Sequence, residues 1–498
     1  MTRKPARTSR HDPLFGGLPG FVPARGDRAD PLHRQLYRWL RQAILDGELP
    51  AGTRLPPSRI LAADYSLSRN TVVCAFEQLA GEGYIEGRAG FGTVVAAGIA
   101  DTGSQRRGTG HVANRSLSQR GLRLSQAFRQ LHHATPPLPF TPGIPDTSEF
   151  PWSAWSRLVA QRSRGPAGDT LGYGHAGGFG PLRDSLASYL GASRGVRCTP
   201  DQVLVVTTAQ AALELAARML SDPGERAWLE CPGYVGARAA FETSGLSVDD
   251  IPVDEQGVCV RRVEALGAGC RVGYVTPSHQ YPTGATLPLS RRLELLAWAE
   301  AANGWLIEDD YDSEFRYAQA PIASIQGLSP SARAIYVSSF SKSLFPGLRV
   351  ACLVVPEALA LPFRQAIRQT GQEPSVPLQA ALHDFLEQGL FSRYMRRMRA
   401  LYAERHGLLI RALRCHLAGF GAPLEAAGGL QILFRLEPRW DADRLAATAR
   451  RAGFGIVPIR WPAEMGAATG GLLFGIGSIA AGAIEAGVCR LAKVLQAD

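Results

Sequence analysis

Lys342 lies in the stretch Ser338-Ser339-Phe340-Ser341-Lys342-Ser343-Leu344-Phe345-Pro346-Gly347-Leu348-Arg349, in a chain with few lysines whose positive charge is carried mostly by arginine. An amine that attacks an aldehyde must be desolvated and near positive charge, so that enough of it is neutral. Ser339 and Arg349 of the same stretch could hold a phosphate while the lysine holds the aldehyde carbon. A lone lysine is far more often an exposed surface residue, so this stretch carries weight only in company. The second stretch is Glu308-Asp309-Asp310-Tyr311-Asp312-Ser313-Glu314-Phe315, after the apolar run 305–307. A carboxylate buried there can pair with a protonated pyridine nitrogen and make the ring an electron sink. The competing readings are a solvated loop or a metal loop; neither a histidine partner nor EF-hand spacing supports the metal.

Three further segments could complete such a site. Thr207-Thr208-Ala209-Gln210 stands between an apolar strand, 203–206, and a helical stretch, 211–220. Backbone N–H groups and a helix N-terminus converge there, which suits a phosphate but equally describes an ordinary helix cap. In Glu230-Cys231-Pro232-Gly233-Tyr234 an aromatic after a tight turn could stack on a flat ring. His279-Gln280-Tyr281-Pro282-Thr283-Gly284 is a turn following the strand 272–276.

The elements that must position these residues alternate. Apolar runs at 203–207, 227–230, 272–276, 305–309 and 334–338 are each followed by a helical or loop stretch, predicting an α/β domain with a mostly parallel sheet over 138–498. Upstream the pattern changes. Residues 1–30 read as a flexible basic arm. Leu32, Leu36, Leu40, Ala43 and Ile44 mark a first helix, Ser58 can cap a second, and Ser68 a third with the stripe Val72, Phe76 and Leu79. Two short strands around a glycine-rich turn follow to Val95. Three helices and a hairpin over 31–97 form a winged helix-turn-helix. Residues 98–137 read as a linker, with one or two helical turns near 122–131.

Charge separates the same segments. The net charge is +10, and residues 1–137 hold 19 basic and 10 acidic side chains, so the remaining 361 contribute only +1. A basic first quarter predicts a polyanion partner for that part alone. In a helix-turn-helix the third helix presents its N-terminal residues to base edges. Arg69 can fork onto guanine and Asn70 pair with adenine, while Ser68 and Thr71 hold phosphate. Arg59 begins the preceding helix and would meet the backbone; Arg88 stands on the wing. No apolar run approaches the roughly 18 residues of a membrane span. Eight scattered cysteines without a C-x-x-C pair predict reduced core thiols, not disulfides or a zinc site. Together these features predict a cytoplasmic protein without a bound metal.

The segment 31–95 resembles the GntR type of winged helix, on Leu55-Pro56-Pro57-Ser58-Arg59, Ser68-Arg69-Asn70-Thr71-Val72, Glu82-Gly83-Tyr84-Ile85 and Gly90-Phe91-Gly92-Thr93. The body resembles the fold-type I aminotransferases over essentially its full length, and the whole chain is similar to the MocR family of bacterial regulators. The resemblance implies pyridoxal 5′-phosphate (PLP) as cofactor. Lys342 matches the lysine forming the internal aldimine, Asp309 the pyridine-nitrogen partner, Tyr311 a residue near the phenolic oxygen and Tyr234 the stacking aromatic. Thr208, Ala209 and Gln210 match the phosphate turn, with Ser339 and Arg349 as further phosphate ligands. Tyr281 stands where enzymes of the fold carry asparagine before Pro-Thr-Gly. Tyr173 matches a segment that can reach a partner subunit's site.

Two departures concern the ligand. The strand 471–476 lacks the arginine that clamps a substrate carboxylate in such enzymes, with Arg435 and Arg460 as substitutes. Gly236, two residues before Arg238, stands where a GABA-sensing relative has an arginine. The reading is a double-stranded-DNA-binding transcriptional regulator, expected as a head-to-tail homodimer, that senses PLP or an amine and controls vitamin B6 or amine-metabolism genes. The alternatives are a working aminotransferase with an appended head and a cofactor-free dimerisation scaffold.

Overall fold

The computed structural model describes residues 21–24, 30–97, 117–127, 137–164, 175–266, 269–317, 322–328, 333–461 and 470–497, and the chain divides between Ser116 and Leu117 into two compact units.

In the first unit, α1 (Leu32–Leu45) buries Leu36, Leu40, Ala43 and Ile44, the face its periodicity predicts, and Gly47 turns the chain out at φ +78°. Helix α2 (Ser58–Asp64) starts one residue earlier than expected: Pro57, with φ fixed near its helical value, takes the capping place assigned to Ser58. Helix α3 (Arg69–Gly81) is capped as expected, the Ser68 side chain accepting from the Thr71 amide at 3.1 Å. Strands β1 (Ile85–Arg88) and β2 (Gly92–Val95) pair antiparallel and form the wing. The basic arm needs a correction. Phe21 is buried, with its ring centroid 5.4 Å from Trp39 and 5.6 Å from Tyr65, and Ala24 exchanges two backbone hydrogen bonds with the Gln35 side chain. The end of the arm is thus part of the head's core, because an exposed Phe21 would leave the Trp39–Tyr65 face uncovered.

The second unit begins with α4 (Gln119–Ala127), which packs on a later helix of the body; the expected linker therefore ends in an element of that body. Helices α5 (Trp152–Ser163) and α6 (Gly180–Arg194) precede the main sheet, whose strands are β3 (Val203–Val206), β4 (Arg226–Cys231), β5 (Ser247–Asp254), β6 (Gly257–Val258), β7 (Cys270–Val275), β8 (Trp305–Asp310), β9 (Ala334–Ser339) and β10 (Ala351–Val354). Their spatial order is β3-β10-β9-β8-β7-β4-β5-β6. The links β9–β8, β8–β7, β7–β4 and β4–β5 are parallel, as alternation predicts. Strand β10 is antiparallel to both β3 and β9, which no period in the sequence betrays. Strand β3 and strand β10 are buried at every position, so both faces of the sheet are covered. Helix α7 (Ala209–Leu220) follows β3, and α8 (Val235–Ser244), the helix that α4 touches, follows β4.

A 27-residue helix, Leu390–His416, leads to a second, antiparallel sheet of β11 (Gly421–Pro423), β12 (Gln431–Leu436), β14 (Gly470–Gly475) and β13 (Val457–Arg460), in that spatial order. All eight cysteines stand outside any disulfide; Cys270 and Cys352 are core thiols, whereas Cys74 and Cys415 are exposed, correcting their assignment to the core. Among the described residues no helix is long and apolar enough to cross a membrane, and no group of three or more His, Cys, Asp or Glu is placed to hold a metal.

Candidate cofactor site and DNA-reading helix

In an open parallel sheet, ligands settle beyond the carboxyl ends of the strands, where helix N-termini also point. The cavity of this body lies there, with a volume of about 620 Å³. It gathers every body residue singled out above for the cofactor: Thr208, Ala209, Gln210, Tyr234, Tyr281, Asp309, Tyr311, Ser339, Lys342 and Arg349. Tyr173 lies outside the described residues.

Lys342 follows β9 in a single helical turn, and its Nζ donates to the Gly143 carbonyl at 2.6 Å. Burial pushes its amine below the ordinary lysine value, against the opposing pull of Asp312 and Asp309. Facing it, Asp309 is buried at the end of β8. Burial raises its carboxyl to about 7, although the Tyr274 hydroxyl, donating to Oδ2 at 2.8 Å, pulls the other way. Oδ1 of Asp309 is buried and without a partner. The acidic loop is buried rather than solvated. Asp310 accepts from Arg194 at 3.0 Å and Tyr336 at 2.6 Å, Glu308 from the amides of Ile325 and Gln326, and Glu314 from Tyr189. Each carboxylate has its own donors, as burial requires.

At the far end, Thr208 caps α7 by accepting from the Ala211 amide at 3.0 Å, leaving the amides of Ala209 and Gln210 in the first turn, where no intrahelical partner exists. Ser339, Ser341 and Arg349 line the same cavity, and Arg349 adopts the left-handed conformation at φ +55°. Such a backbone is uncommon for a side-chain-bearing residue and clusters at ligand sites. The Tyr234 ring packs edge-on to Tyr281 at 5.9 Å, and Tyr281 edge-on to Tyr311 at 6.2 Å. Gly236 is required by this ring: a Cβ there would lie 2.4 Å from the Tyr234 Cζ.

These residues fit PLP. The unpaired Asp309 Oδ1 awaits a donor such as a pyridinium N–H, a desolvated amine stands beside it, and an arginine, hydroxyls and helix-end amides form an anion cradle. Thr207 and Asp312, from two of the stretches singled out above, also line the cavity, and sequence reasoning missed Tyr274, Gln372 and Gln431. Tyr274 lies inside an apolar strand and Gln431 in the second sheet, so only their folded positions reveal them. The carboxylate substitutes fail: Arg435 is exposed and stacks over Trp461 at 5.6 Å, and Arg460 pairs with Asp443 at 2.6 Å. Arg238 pairs with Asp250 and Glu242. Among the described lining residues Arg349 is the single arginine.

In the head, Arg69 and Asn70 open α3 and are exposed, and Arg59 is exposed in the first turn of α2. The hydroxyls of Ser68 and Thr71 lie 2.8 Å apart, so the cap that holds the helix end also ties up one of the two oxygens assigned to phosphate. Arg88 ends β1, its Nε donating to Glu86 at 2.9 Å.

Comparison with known proteins separates the same two parts. Residues 32–95 match the bacterial regulatory proteins of the gntR family, and residues 145–451 match aminotransferase class I and II. The chain is 41% identical over 431 residues to the probable rhizopine catabolism regulatory protein MocR of Rhizobium meliloti, covering 86% of each. It is 32% identical over 377 residues to the pyridoxine biosynthesis transcriptional regulator PdxR of Corynebacterium glutamicum, covering 75% of this chain and 77% of that one. The α-aminoadipate aminotransferase LysN of Thermus thermophilus, solved with N-(5′-phosphopyridoxyl)-L-leucine, superposes with a TM-score of 0.66 at 28% identity, over 79% of this chain and 98% of that one. A GntR head, a PLP-binding aminotransferase fold and these relatives lead to one assignment: the chain belongs to the MocR family of helix-turn-helix transcriptional regulators.

Proposed function

We propose that the body senses PLP or a small amine at Lys342 while the head reads paired half-sites on double-stranded DNA, in a head-to-tail homodimer that controls vitamin B6 or amine-metabolism genes. The observation that carries this reading is the convergence of Lys342 Nζ and the unpaired Asp309 Oδ1 on one cavity. PLP, when bound, supplies an aldehyde that condenses reversibly with amines and a pyridine ring that withdraws electrons. Asp309 would accept from the ring nitrogen, the amides of Ala209 and Gln210 with Ser339 and Arg349 would hold the phosphate, and Tyr234 would cover a ring face. Lys342, whose amine burial pushes below the ordinary lysine value, would be the residue that engages the aldehyde. A bound effector would alter the contacts that favour one body conformation, a bias the head would carry to DNA. In the head, Arg69 and Asn70 read base edges, with Arg59, Ser68, Thr71 and Arg88 on the phosphates.

The purified full-length chain should take up PLP with a visible absorption band that Lys342→Ala abolishes, and its DNA affinity should change with PLP or with one member of a panel of amines. A chain that stays colourless after incubation would sink the proposal. A second reading, a working aminotransferase with an appended head, draws on the superposition with LysN. Sustained turnover of an amino acid with 2-oxoglutarate would favour it; the regulator reading expects none.

A further inference from the structure

Behind Tyr311 sits a buried histidine to which the reading above gives no task. His279 Nδ1 lies 3.0 Å from the Tyr311 hydroxyl and 3.1 Å from Asp312 Oδ2. Its ring occupies a slot shaped by two glycines. A Cβ at Gly429 would lie 2.0 Å from its Cε1, and one at Gly284 would lie 3.0 Å from its Nε2. The Nε2 atom is buried and has no partner.

These contacts select one form of the ring. If Nδ1 were a bare lone pair, it would face the Asp312 carboxylate, and a buried Nε2–H would have no acceptor. A doubly protonated ring would bury that same orphan donor. With its proton on Nδ1, the ring donates to Asp312 and leaves only a bare nitrogen unpaired. Asp312 Oδ2 also accepts from the Leu430 amide at 3.3 Å, which holds it as an acceptor. The Tyr311 oxygen then stands between two donors, His279 Nδ1–H and Gln431 Nε2 at 3.5 Å. Its own proton is turned away from both, into the cavity.

We infer that His279, held by Asp312 with its proton on Nδ1, is a positioning residue that makes Tyr311 a hydrogen-bond donor into the cavity. Among the described residues, the other titratable groups around it are His406 on the 27-residue helix, Tyr281 against Tyr311, Tyr317 beside Asp312 and His406, and Lys342 and Asp309, which interact with Asp312. Burial holds His406 down at about 4. For a hydroxypyridine aldehyde held at Lys342, a donated proton favours the form in which the phenolic oxygen carries more negative charge, the deprotonated one. This consequence rests on the proposed cofactor site; the state of the ring does not.

The first measurement is therefore made on the cofactor-free full chain. Nitrogen NMR of histidine-labelled protein, assigned by the signal that His279→Gln removes, should show the His279 proton on Nδ1 and a bare Nε2. A proton on Nε2, or a protonated ring, overturns the inference. The second measurement is the pH midpoint of the cofactor's colour change. Tyr311→Phe and His279→Leu should each raise it by about one unit, and the double variant should go no higher than Tyr311→Phe alone. An unmoved midpoint in His279→Leu, or additive shifts, overturns the inference. If that variant does not fold, His279→Phe keeps an aromatic ring in the slot without a donor and should also raise the midpoint; no change there is equally fatal. A wild-type chain that takes no colour defeats the cofactor reading, while the NMR result still decides the ring.

Discussion

The Tyr274 hydroxyl donates to one oxygen of the buried Asp309 carboxylate at 2.8 Å, and the other oxygen has no partner. The carboxylate is thus aimed but half satisfied, and burial raises its carboxyl to about 7. Glu230 and Glu308 are raised to about 7 by burial as well. A carboxyl that binds its proton more tightly in the folded state than in the unfolded one loses stability as pH rises between its two pKa values, here from roughly 4 to about 7. The carboxyls with lowered values, such as Asp146 and Asp254, already contribute fully above that lower bound. The thermal midpoint of the cofactor-free chain should therefore fall from pH 5 to pH 8, and Asp309→Asn should reduce the fall. PLP should stabilise wild type more at pH 8 than at pH 5 and rescue Asp309→Asn poorly. A melting curve independent of pH would contradict the burial of these three acids.

Gly236→Ala places a methyl against the Tyr234 ring, 2.4 Å from Cζ. The ring must swing, since backbone on α8 cannot yield as easily. PLP affinity should fall at least tenfold with little change in overall stability, read by titration of the visible band. Unchanged affinity would mean that Tyr234 does not cover the cofactor.

Phe21→Ala should destabilise the head by about 3 kcal/mol, the cost of deleting a buried aromatic ring. Hydrogen exchange in α1 and α2 should accelerate roughly a hundredfold, with α7 unaffected, because the two units have separate cores. Equal exchange in wild type and variant would return the arm to its expected flexible state.

For the DNA-reading helix, Arg69→Ala should remove discrimination between specific and random duplexes, a loss of about 1–3 kcal/mol, while leaving cofactor colour intact. Arg59→Ala should instead weaken both duplexes alike and flatten the salt dependence of binding. Retardation assays at several salt concentrations separate these outcomes. Arg69→Ala with full discrimination would move base reading elsewhere.

The sequence exposes those parts of the site that sit at strand ends, because an apolar run followed by Thr-Thr-Ala-Gln or Glu-Asp-Asp-Tyr marks both the strand and what it carries. It hides residues whose role depends on pairing between distant strands. Tyr274 reads as one more apolar position of β7, yet its hydroxyl reaches Asp309 on the neighbouring strand β8. Strand β10 looks like any buried run, and its reversed direction is set by the geometry of the loop after Lys342, not by its own period. Phe21 is hidden by the arginines and prolines around it, although a single ring among them is enough to close the head's aromatic cluster.

Helix α4 gives the body a mechanical handle. It is the first described element after the head in chain order, and it leans on α8, the helix that Tyr234 opens. Any shift of that tyrosine bears on the first turn of α8, and through it on the footing of α4 at the very start of the second unit.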